Sequence, residues 1–489
     1  MPTSEKLQQL QEAILAGNVP QIVLATISAA LEMRSSDIHI EPERATTRIR
    51  FRIDGVLRRI VEYPLPMHPA VVSRIKIMSN LKIDEQRIPQ DGRTNVTTKD
   101  NREMDLRVSS LPTVNGEKIV MRLQDKSRKI PTLEELGLEG NSMKALKKGL
   151  DAPNGIMMTT GPTGSGKTTT LYACLNILNT ADVNILTIED PVEIQMEGLN
   201  QSQVHPDINY TFASGLRTAL RQDPDIIMVG EIRDRETMDV AVESSLTGHL
   251  VLSTIHTNSA VETLTRISNM GVPSFLMAAT INLIIAQRLV RRICAQCKAE
   301  QPVSPDILSR VQRALKNLHP DEAAGMPPGL LQNLKFYAGK GCDICGTSGY
   351  MGRVGIYEVM YMNNRLRRLI IDHVSGMEIE KASMESGMVN LEQAGILKAL
   401  KGETTLDEVY SVAREAESEE SMEKIHESNQ AVNGNGNGAS AQVASAPPQA
   451  PVSAAPAPAA ITQAPVIQTP SGPMIAAYLP VFPIQPSKN

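Results

Sequence analysis

The sequence predicts an α/β protein in which a parallel sheet flanked by helices follows a smaller α+β domain. Three observations predict this fold. From Gly155 onward, short apolar strands alternate with helical stretches; a glycine-rich loop separates the first strand from its helix; and the part before residue 129 changes from helical spacing to a period of two. A chain of 489 residues has room for roughly two to four domains.

The N-terminal part is predicted to begin with two helices and to continue as strands. Apolar residues recur at helical spacing between residues 7 and 15 and again between 22 and 31. From Ile38 the apolar residues alternate with polar ones, which indicates half-buried strands. Two turns are predicted, at Asp54-Gly55 and at Asp91-Gly92.

The second part is predicted to hold a parallel sheet. Residues 126–131 read as a linker, and a capping-box pattern starts a helix at Thr132. The predicted strands are Ile156–Thr159, Val183–Ile188, Ile226–Val229 and Leu250–Ile255. The most apolar helix candidate, Phe275–Ala286, is too short to cross a membrane.

The segment Gly161–Thr168 matches the pattern G-x-x-x-x-G-K-[ST] between a predicted strand and a predicted helix. Glycines let backbone N–H groups turn toward phosphate oxygens, Lys167 would neutralise the β and γ phosphates, and the Thr168 hydroxyl would ligate Mg²⁺. The alternative is a chance match in a glycine loop. The candidate nucleotide-binding residues are Gly161, Pro162, Thr163, Gly164, Ser165, Gly166, Lys167, Thr168 and Thr169.

Acidic residues follow two of the predicted strands. Glu231 comes just after the apolar strand 226–229, as the acid of a Walker B strand does, and segment 187–193 contains three acids that end with Glu193. Both groups are expected at the carboxyl edge of the sheet, where ligands bind. Each group could instead be a solvated turn.

Two histidines bracket the strand 250–255. We expect His249 and His256 to lie near the γ-phosphate, because their strand is predicted to neighbour the Walker B strand. The alternative is that each is a core histidine with satisfied hydrogen bonds.

Four of the five cysteines form two C-x-x-C pairs. Two such pairs, flanked by small or polar residues, predict a tetrahedral zinc site in a module at about 291–348. No open coordination position with an acid beside it is apparent, so the ion is predicted to be structural. A redox pair or reduced structural thiols are the alternatives. The predicted ligands are Cys294, Cys297, Cys342 and Cys345.

Composition restricts the possible partners of the protein, its ordered part and its location in the cell. The 49 Lys and Arg against 54 Asp and Glu give a net charge of −5, and aromatic residues are only 3%, which argues against a nucleic-acid partner. The Pro/Ala-rich segment 427–489 is predicted to be disordered. The first residues lack the order of a signal peptide, so we expect a cytoplasmic protein.

Several motifs in the same order resemble the secretion-ATPase superfamily, and specifically its GspE/PilB branch for type II secretion and type IV pilus assembly. In the second part they are segments 161–168, 187–193, 221–234 and 248–257. In the first part they are segments 36–42, 89–93, 105–109 and 116–122. The resemblance extends over about residues 20–420.

The resemblance implies a RecA-like ATPase domain at 129–426, preceded at 1–128 by a smaller PAS-like domain that covers the nucleotide. The Pro/Ala-rich tail at 427–489 is atypical of the family. It implies that Glu193 acts as base or orients water, and that Glu231 supports Mg²⁺. Arg93 and Arg107 would reach the nucleotide from the covering domain, although they could also be surface charges on a strand edge. His249 and His256 match the two histidines of the family.

The resemblance also implies function and partners. It implies an ATP-hydrolysing homo-hexamer with Mg²⁺ and Zn²⁺, at the cytoplasmic face of the inner membrane. Membrane association would be peripheral, through an inner-membrane platform protein. Assembly and secretion ATPases of this family have a tetracysteine module that retraction-type relatives generally lack, so a retraction ATPase is the close alternative. A nucleic-acid translocase of related fold and a non-hydrolysing scaffold are more distant alternatives.

Overall fold

The computed structural model describes residues 5–97, 103–125 and 129–412. The predicted disordered tail at 427–489 and residues 126–128 of the predicted linker lie outside these ranges. Within them the chain forms an antiparallel sheet near the N-terminus, a mainly parallel sheet after it, and a small two-stranded sheet. None of the helices in these ranges is long and apolar enough to cross a membrane.

The N-terminal sheet has the strand order β3-β2-β1-β6-β5-β4, and its described strands pair antiparallel. Its strands are β1 (Ser35–Pro42), β2 (Thr46–Ile53), β3 (Val56–Pro64), β4 (Gln90–Thr97), β5 (Glu103–Thr113) and β6 (Gly116–Asp125). The helices of this part are α1 (Glu5–Leu15), α2 (Val19–Glu32) and α3 (His68–Met78), with a 3₁₀ turn at Leu65–Met67.

Alternation of residue type explains how this sheet buries one face. In β2, Ile49, Phe51 and Ile53 are buried in a core with residues of α2 and α3, while the intervening arginines are partly exposed. Such a period of two places apolar side chains on one face and charged side chains on the other. The N-terminal sheet and its helices therefore share a hydrophobic core of their own.

The two predicted turns have different outcomes. Asp54-Gly55 is a turn between β2 and β3, with positive φ at both residues. The prediction of a turn at Asp91-Gly92 is wrong, because both residues lie inside β4 and pair with β5. A Cβ at Gly92 would lie 2.5 Å from the Ser79 carbonyl oxygen, so this glycine permits a close backbone approach instead of a turn.

The second sheet has the order β15-β12-β7-β11-β10-β8-β9, with β15 antiparallel to β12 and the other pairs parallel. Its strands are β7 (Gly155–Thr160), β8 (Ile185–Glu189), β9 (Asn200–Gln203), β10 (Ile226–Val229), β11 (Leu250–Ile255), β12 (Ile281–Ile293) and β15 (Tyr350–Tyr361). The helices from α4 to α10 are α4 (Leu133–Leu136), α5 (Gly140–Leu150), α6 (Lys167–Leu178), α7 (Phe212–Ala219), α8 (Arg235–Leu246), α9 (Ala260–Asn269) and α10 (Ser274–Thr280), and a 3₁₀ turn spans Pro206–Ile208.

The four predicted strands of this sheet are present, and Thr132 caps α4 through the predicted capping box. The predicted helix at 275–286 is wrong beyond Thr280, where α10 ends and β12 begins directly at Ile281. The reason is tertiary: this isoleucine-rich run pairs with β7 on one side and β15 on the other, and so completes the sheet.

The remaining elements follow the first cysteine pair along the chain. They are β13 (Lys298–Glu300), α11 (Pro305–Lys316), α12 (Pro320–Ala324), β14 (Tyr337–Gly339), α13 (Asn364–Ile371), α14 (Gly376–Glu385) and α15 (Leu391–Leu400). The segment between the cysteine pairs packs against α15 in a separate small core that includes Val311 and Phe336.

Candidate functional site

The loop between β7 and α6 lies at the carboxyl edge of the parallel sheet. Gly161, Gly164 and Gly166 have φ values of +147°, +79° and +89°, which disfavour any residue with a Cβ. A Cβ at Gly161 would also lie 2.5 Å from the Gln287 carbonyl oxygen and 2.7 Å from Ser165 Oγ. Conformation therefore favours glycine at all three positions, and at Gly161 the lack of space also requires it. The loop turns its backbone around the start of a helix, as a phosphate site does.

Lys167 lies under this loop. Its Nζ donates to the carbonyl oxygens of Gly161 at 2.8 Å and of Pro162 at 3.2 Å. Burial lowers the pKa of Lys167, the charge of Glu231 opposes that shift, and the nearby Arg288 adds to it. A bound phosphate would supply the negative charge that this buried ammonium group lacks.

The other residues of the loop differ in exposure. Pro162, Thr163 and Gly164 are exposed, while Thr168 and Thr169 are half-buried in the first turn of α6. Ser165 Oγ is buried and has no hydrogen-bond partner among the described residues. A buried hydroxyl of this kind, inside a loop of glycines, fits a polar ligand such as a phosphate group.

Glu231 follows β10 and is held on both carboxylate oxygens. Arg233 Nη2 lies 2.5 Å from Oε1, and His256 Nε2 lies 3.5 Å from Oε2. Only 14% of the Glu231 side chain is exposed, whereas Arg233 is 67% exposed and can move without disturbing a core. The structure thus brings Glu231 and His256 together, beside Lys167.

The acids after β8 have different surroundings. Glu189 is buried, and its carboxylate accepts hydrogen bonds from Tyr172 at 2.5 Å, Thr187 at 2.6 Å and Gln201 at 3.1 Å. Glu193, by contrast, is half-exposed, and burial raises its pKa. Of these two, Glu193 is the more accessible carboxylate, and its raised pKa favours uptake of a proton.

Tyr172 connects this segment to α6. Its hydroxyl donates to Glu189 and accepts the backbone N–H of Glu193 at 3.1 Å. The ring is buried in the core between α6 and the sheet, so the hydroxyl position is fixed by packing. The helix that begins at the phosphate loop therefore also positions the backbone of Glu193.

Residues of the N-terminal sheet reach Glu193. Arg107 Nη2 lies 3.5 Å from its Oε1, and the Gln124 side-chain amide donates to its Oε2. Arg93 is exposed and lies directly opposite Arg107 in the β4–β5 register, so both side chains share a face. Arg122, which the sequence did not indicate as a site residue, lies opposite Arg107 on the other side, and its charge also lowers the pKa of Glu193 against the effect of burial.

His249, unlike His256, does not lie near Glu231 and the phosphate loop. It precedes β11, whereas His256 follows that strand, and six residues of strand separate the two by roughly 20 Å. The His249 ring nitrogen Nδ1 instead contacts the Ser244 carbonyl oxygen at 2.9 Å and the Thr247 hydroxyl at 3.2 Å. Within one chain it therefore lies at the amino edge of the sheet, away from the phosphate loop.

The four cysteines predicted to bind zinc form one cluster. Their sulfur atoms lie within 4.8 Å of one another, with separations of 3.8 Å for Cys294–Cys342, 3.9 Å for Cys297–Cys345 and 3.7 Å for Cys342–Cys345. A tetrahedral zinc site with Zn–S bonds of about 2.3 Å has sulfur–sulfur edges of about 3.8 Å. The donor set and its spacing therefore fit zinc.

Backbone groups support the same cluster. Burial opposes ionisation of Cys345, but N–H groups of Cys342 at 3.2 Å and Gly349 at 3.3 Å point at its sulfur and, together with the Cys342 and Cys297 thiols, lower the pKa of this thiol. Such donors stabilise thiolate, which is the form that binds a metal.

Two polar residues of β12 also contact the site. Gln287 donates to the Ser165 carbonyl oxygen in the phosphate loop, and Arg288 donates to the Asn258 carbonyl oxygen in the loop after His256. The sequence analysis did not identify them. Their signal in the sequence is an adjacent Gln-Arg pair inside the apolar central part of the strand, residues 283–290.

Comparisons with known proteins agree with these features. The family model described as Type II/IV secretion system protein matches residues 12–411. The chain is 45% identical over 406 residues to the type IV pilus assembly ATPase PilB of Myxococcus xanthus, covering 83% of this chain and 70% of that protein. It is 44% identical over 414 residues to the type II secretion system protein E of Xanthomonas campestris, covering 85% and 70%.

The chain spans only part of the length of its relatives, and two solved structures are similar to it. The chain spans 66% of the PilB of Pseudomonas aeruginosa, to which it is 46% identical over 79% of its own length. The pilus retraction motor PilT with bound ADP has a TM-score of 0.52 at 25% identity, covering 79% of this chain and 95% of that one. The ATPase DotB of Legionella pneumophila has a TM-score of 0.57 at 20% identity, covering 80% and 94%, and supports the fold alone.

Proposed function

The chain belongs to the type II/IV secretion system protein family, and from this premise we propose that it hydrolyses ATP to power type IV pilus assembly or type II protein secretion. The resemblance to the GspE/PilB branch that the motifs predicted is confirmed, because relatives with these functions are 44–45% identical over more than four fifths of the chain. The mixed α/β ATPase fold and the tetracysteine cluster are confirmed as well.

The observation that carries the proposal is the contact between Glu193 and Arg107, which joins the segment after β8 to the N-terminal sheet. A carboxylate with a raised pKa suits a base that takes the proton of the attacking water. Arginines that face it can stabilise the charge that develops on the γ-phosphate. Arg93 lies beside Arg107 and supports the same role.

The phosphate loop supplies the binding part of the mechanism. Residues 161–169 would hold the nucleotide phosphates, with Lys167 as the counter-charge, and the Thr168 hydroxyl would be a ligand of Mg²⁺. Glu231 would support the metal and its water, and Arg233, which contacts its Oε1, would have to release that oxygen. His256 contacts Glu231 and is placed to sense that change. His249 does not face this site in one chain, and we propose no role for it at the bound nucleotide.

Domain motion would convert hydrolysis into work. We propose that residues 1–128 form a PAS-like domain that covers the nucleotide bound to an ATPase domain at 129–426, while 427–489 form a tail. Closure brings the arginines to the phosphates and excludes water, and opening releases product. The motor would be a homo-hexamer at the cytoplasmic face of the inner membrane, attached through a platform protein and without a nucleic-acid partner.

The cysteine cluster is proposed to hold a structural zinc ion. Bound there, Zn²⁺ would cross-link the two ends of the 291–348 module and add to its stability. The family and the tetracysteine cluster favour assembly or secretion over retraction, the activity named for the structural neighbour PilT.

A complementation experiment tests this proposal. Cells that lack the gene would receive the wild-type gene, Lys167→Ala, or the matched control Lys335→Ala, whose lysine pairs with Glu300 on the surface. We expect the wild type and the control to restore surface pili or a secreted protein, and Lys167→Ala to restore neither. Equal restoration by Lys167→Ala would contradict an ATP-driven function.

A further inference from the structure

Gln287 and Arg288 are adjacent, buried and polar, in a strand whose other central residues are apolar. Gln287 is 1% and Arg288 4% exposed. Successive residues of a strand point to opposite faces of the sheet, so the two side chains reach different loops. A buried amide and a buried guanidinium are costly unless they are hydrogen-bonded, so their contacts indicate what they are for.

Gln287 determines how one peptide group of the phosphate loop is oriented. Its Nε2 donates to the Ser165 carbonyl oxygen at 2.6 Å, and its Oε1 accepts from the Thr170 hydroxyl at 2.9 Å. A peptide unit is planar and trans, so the Ser165 C=O and the Gly166 N–H point in opposite directions. A carbonyl held toward Gln287 therefore directs the Gly166 N–H away from β12, toward the interior of the loop.

The hydrogen bond from Gln287 is needed because the next residue in the loop, Gly166, is a glycine. Gly166 has a φ of +89°, and with no Cβ it can adopt conformations in which the preceding peptide is reversed. In a reversed peptide the Ser165 carbonyl oxygen would face the phosphates and repel them. Gln287 Nε2 lies 2.9 Å from where a Gly166 Cβ would be, so the anchor sits directly against the peptide that it orients.

Arg288 holds the loop that follows β11. Its Nη2 donates to the Asn258 carbonyl oxygen at 3.0 Å and to the Asn258 side-chain oxygen at 3.2 Å. Its Nη1 donates to the Gln287 carbonyl oxygen at 3.1 Å. On the neighbouring strand, Glu358 accepts the Ala260 N–H at 2.7 Å and holds the same loop from its other end. This loop begins at His256, which contacts Glu231.

We propose that Gln287 and Arg288 are positioning residues: Gln287 presets the phosphate loop for binding, and Arg288 presets the His256 loop for hydrolysis. The inference rests on the proposed ATPase function. The side-chain hydrogen bonds of Gln287 and Arg288 go to different loops, so the inference predicts that their main effects separate, although the charge of Arg288 also lies near Lys167. Loss of Gln287 weakens nucleotide binding, whereas loss of Arg288 slows turnover of nucleotide that is already bound.

Four variants of the full chain test the proposal. Gln287→Leu removes both side-chain hydrogen bonds, and the isosteric Gln287→Glu keeps an acceptor for Thr170 but in its ionised form cannot donate to Ser165. Arg288→Met keeps the length of the side chain without its donors. Asn282→Leu is the matched control, because Asn282 lies in the same strand and donates to the Asn154 carbonyl oxygen at 2.6 Å, but at the opposite edge of the sheet.

ATP affinity, kcat at saturating ATP and thermal melting would be measured for each. We expect both Gln287 variants to raise the Kd for ATP at least ~10-fold, which equals about 1.4 kcal/mol. Arg288→Met should lower kcat at least ~10-fold with Kd changed by less than ~3-fold, and Asn282→Leu should alter neither. Melting curves show which variants are folded.

The following results would overturn the inference. Folded Gln287 variants with the affinity of the wild type, or an Arg288 variant that changes Kd and kcat equally, would contradict separate positioning roles. Failure of both Gln287 variants to fold, with a folded control, would show a purely structural role. A wild-type chain that neither binds nor hydrolyses ATP would instead contradict the proposed function, and this inference with it.

Discussion

Replacing Arg107 by glutamine should move the acid limb of the pH profile of ATP turnover to higher pH. Glu193 must be ionised to act as a base, so turnover falls as the pH drops through its pKa. Burial raises that pKa, and the positive charge of Arg107 opposes the shift. Removing the charge therefore raises the pKa further, and a higher pH is needed to ionise the same fraction of Glu193.

The size of the shift follows from the geometry. Arg107 Nη2 and Glu193 Oε1 are 3.5 Å apart, and the two side chains are 32% and 36% exposed. Coulomb's law at this distance gives about 1.2 kcal/mol in water and about 4.7 kcal/mol at an effective dielectric constant of about 20. Because both groups are about one-third exposed, solvent screening favours the lower figure. At about 1.4 kcal/mol per pH unit, the limb should move by about one unit.

The assay is kcat at saturating ATP between pH 5 and 9 for the wild type, Arg107→Gln and a matched control. Arg365→Gln is the control, because Arg365 also pairs with a glutamate, at 2.7 Å, but on the surface at α13. Loss of Arg107 should also lower the plateau, but the position of the limb is independent of its height. An acid limb that stays in place, or moves to lower pH, would refute the contact between Arg107 and an ionisable base.

Three further predictions test other parts of the site. Lys167→Ala should abolish ATP binding, measured by calorimetry, because the phosphates lose their buried counter-charge; wild-type affinity would exclude this loop as the phosphate site. Cys342→Ser should lower zinc content from about one ion per chain, measured by mass spectrometry of the metal, and lower the melting temperature, since structural zinc contributes folding free energy; absence of zinc from freshly prepared, reduced wild type would contradict the site. Tyr172→Phe should destabilise the fold by about 1–3 kcal/mol in urea, because Glu189 loses a buried donor, and should also lower kcat, because the backbone of Glu193 loses its anchor; unchanged stability and kcat would remove Tyr172 from the account.

Features fixed by short-range chemistry could be predicted from the sequence. The loop 161–168 has a distinctive pattern of glycines and Lys167, and the strands beside it are short apolar runs bounded by polar residues. The capping box at Thr132 and the turn at Asp54-Gly55 are likewise decided by neighbouring residues, and the structure contains both.

Features that depend on distant contacts could not be predicted in this way. Glu189 and Glu193 are four residues apart with similar chemistry, and only Tyr172, Thr187 and Gln201 show that Glu189 is occupied as a hydrogen-bond acceptor. Gln287 contacts a loop 122 residues earlier in the chain. No local pattern records such a pairing.

The direction of β11 explains why only one of the two histidines lies at the ligand edge of the sheet. The sequence places His249 and His256 symmetrically around β11, but only the carboxyl end of a parallel strand faces the ligand edge. The Asp91-Gly92 pair shows a similar ambiguity, since glycine serves both a tight turn and a close backbone approach. Here the approach of Ser79 decides between the two.

The central claim is that Glu193 is the base of an ATPase, and turnover by Glu193→Gln tests it most directly. The substitution keeps the size of the side chain but removes its ability to accept a proton. ATP binding should stay within ~3-fold of the wild type, while kcat should fall at least ~100-fold, as removal of a general base does. Turnover by Glu193→Gln at a rate near that of the wild type would contradict the account.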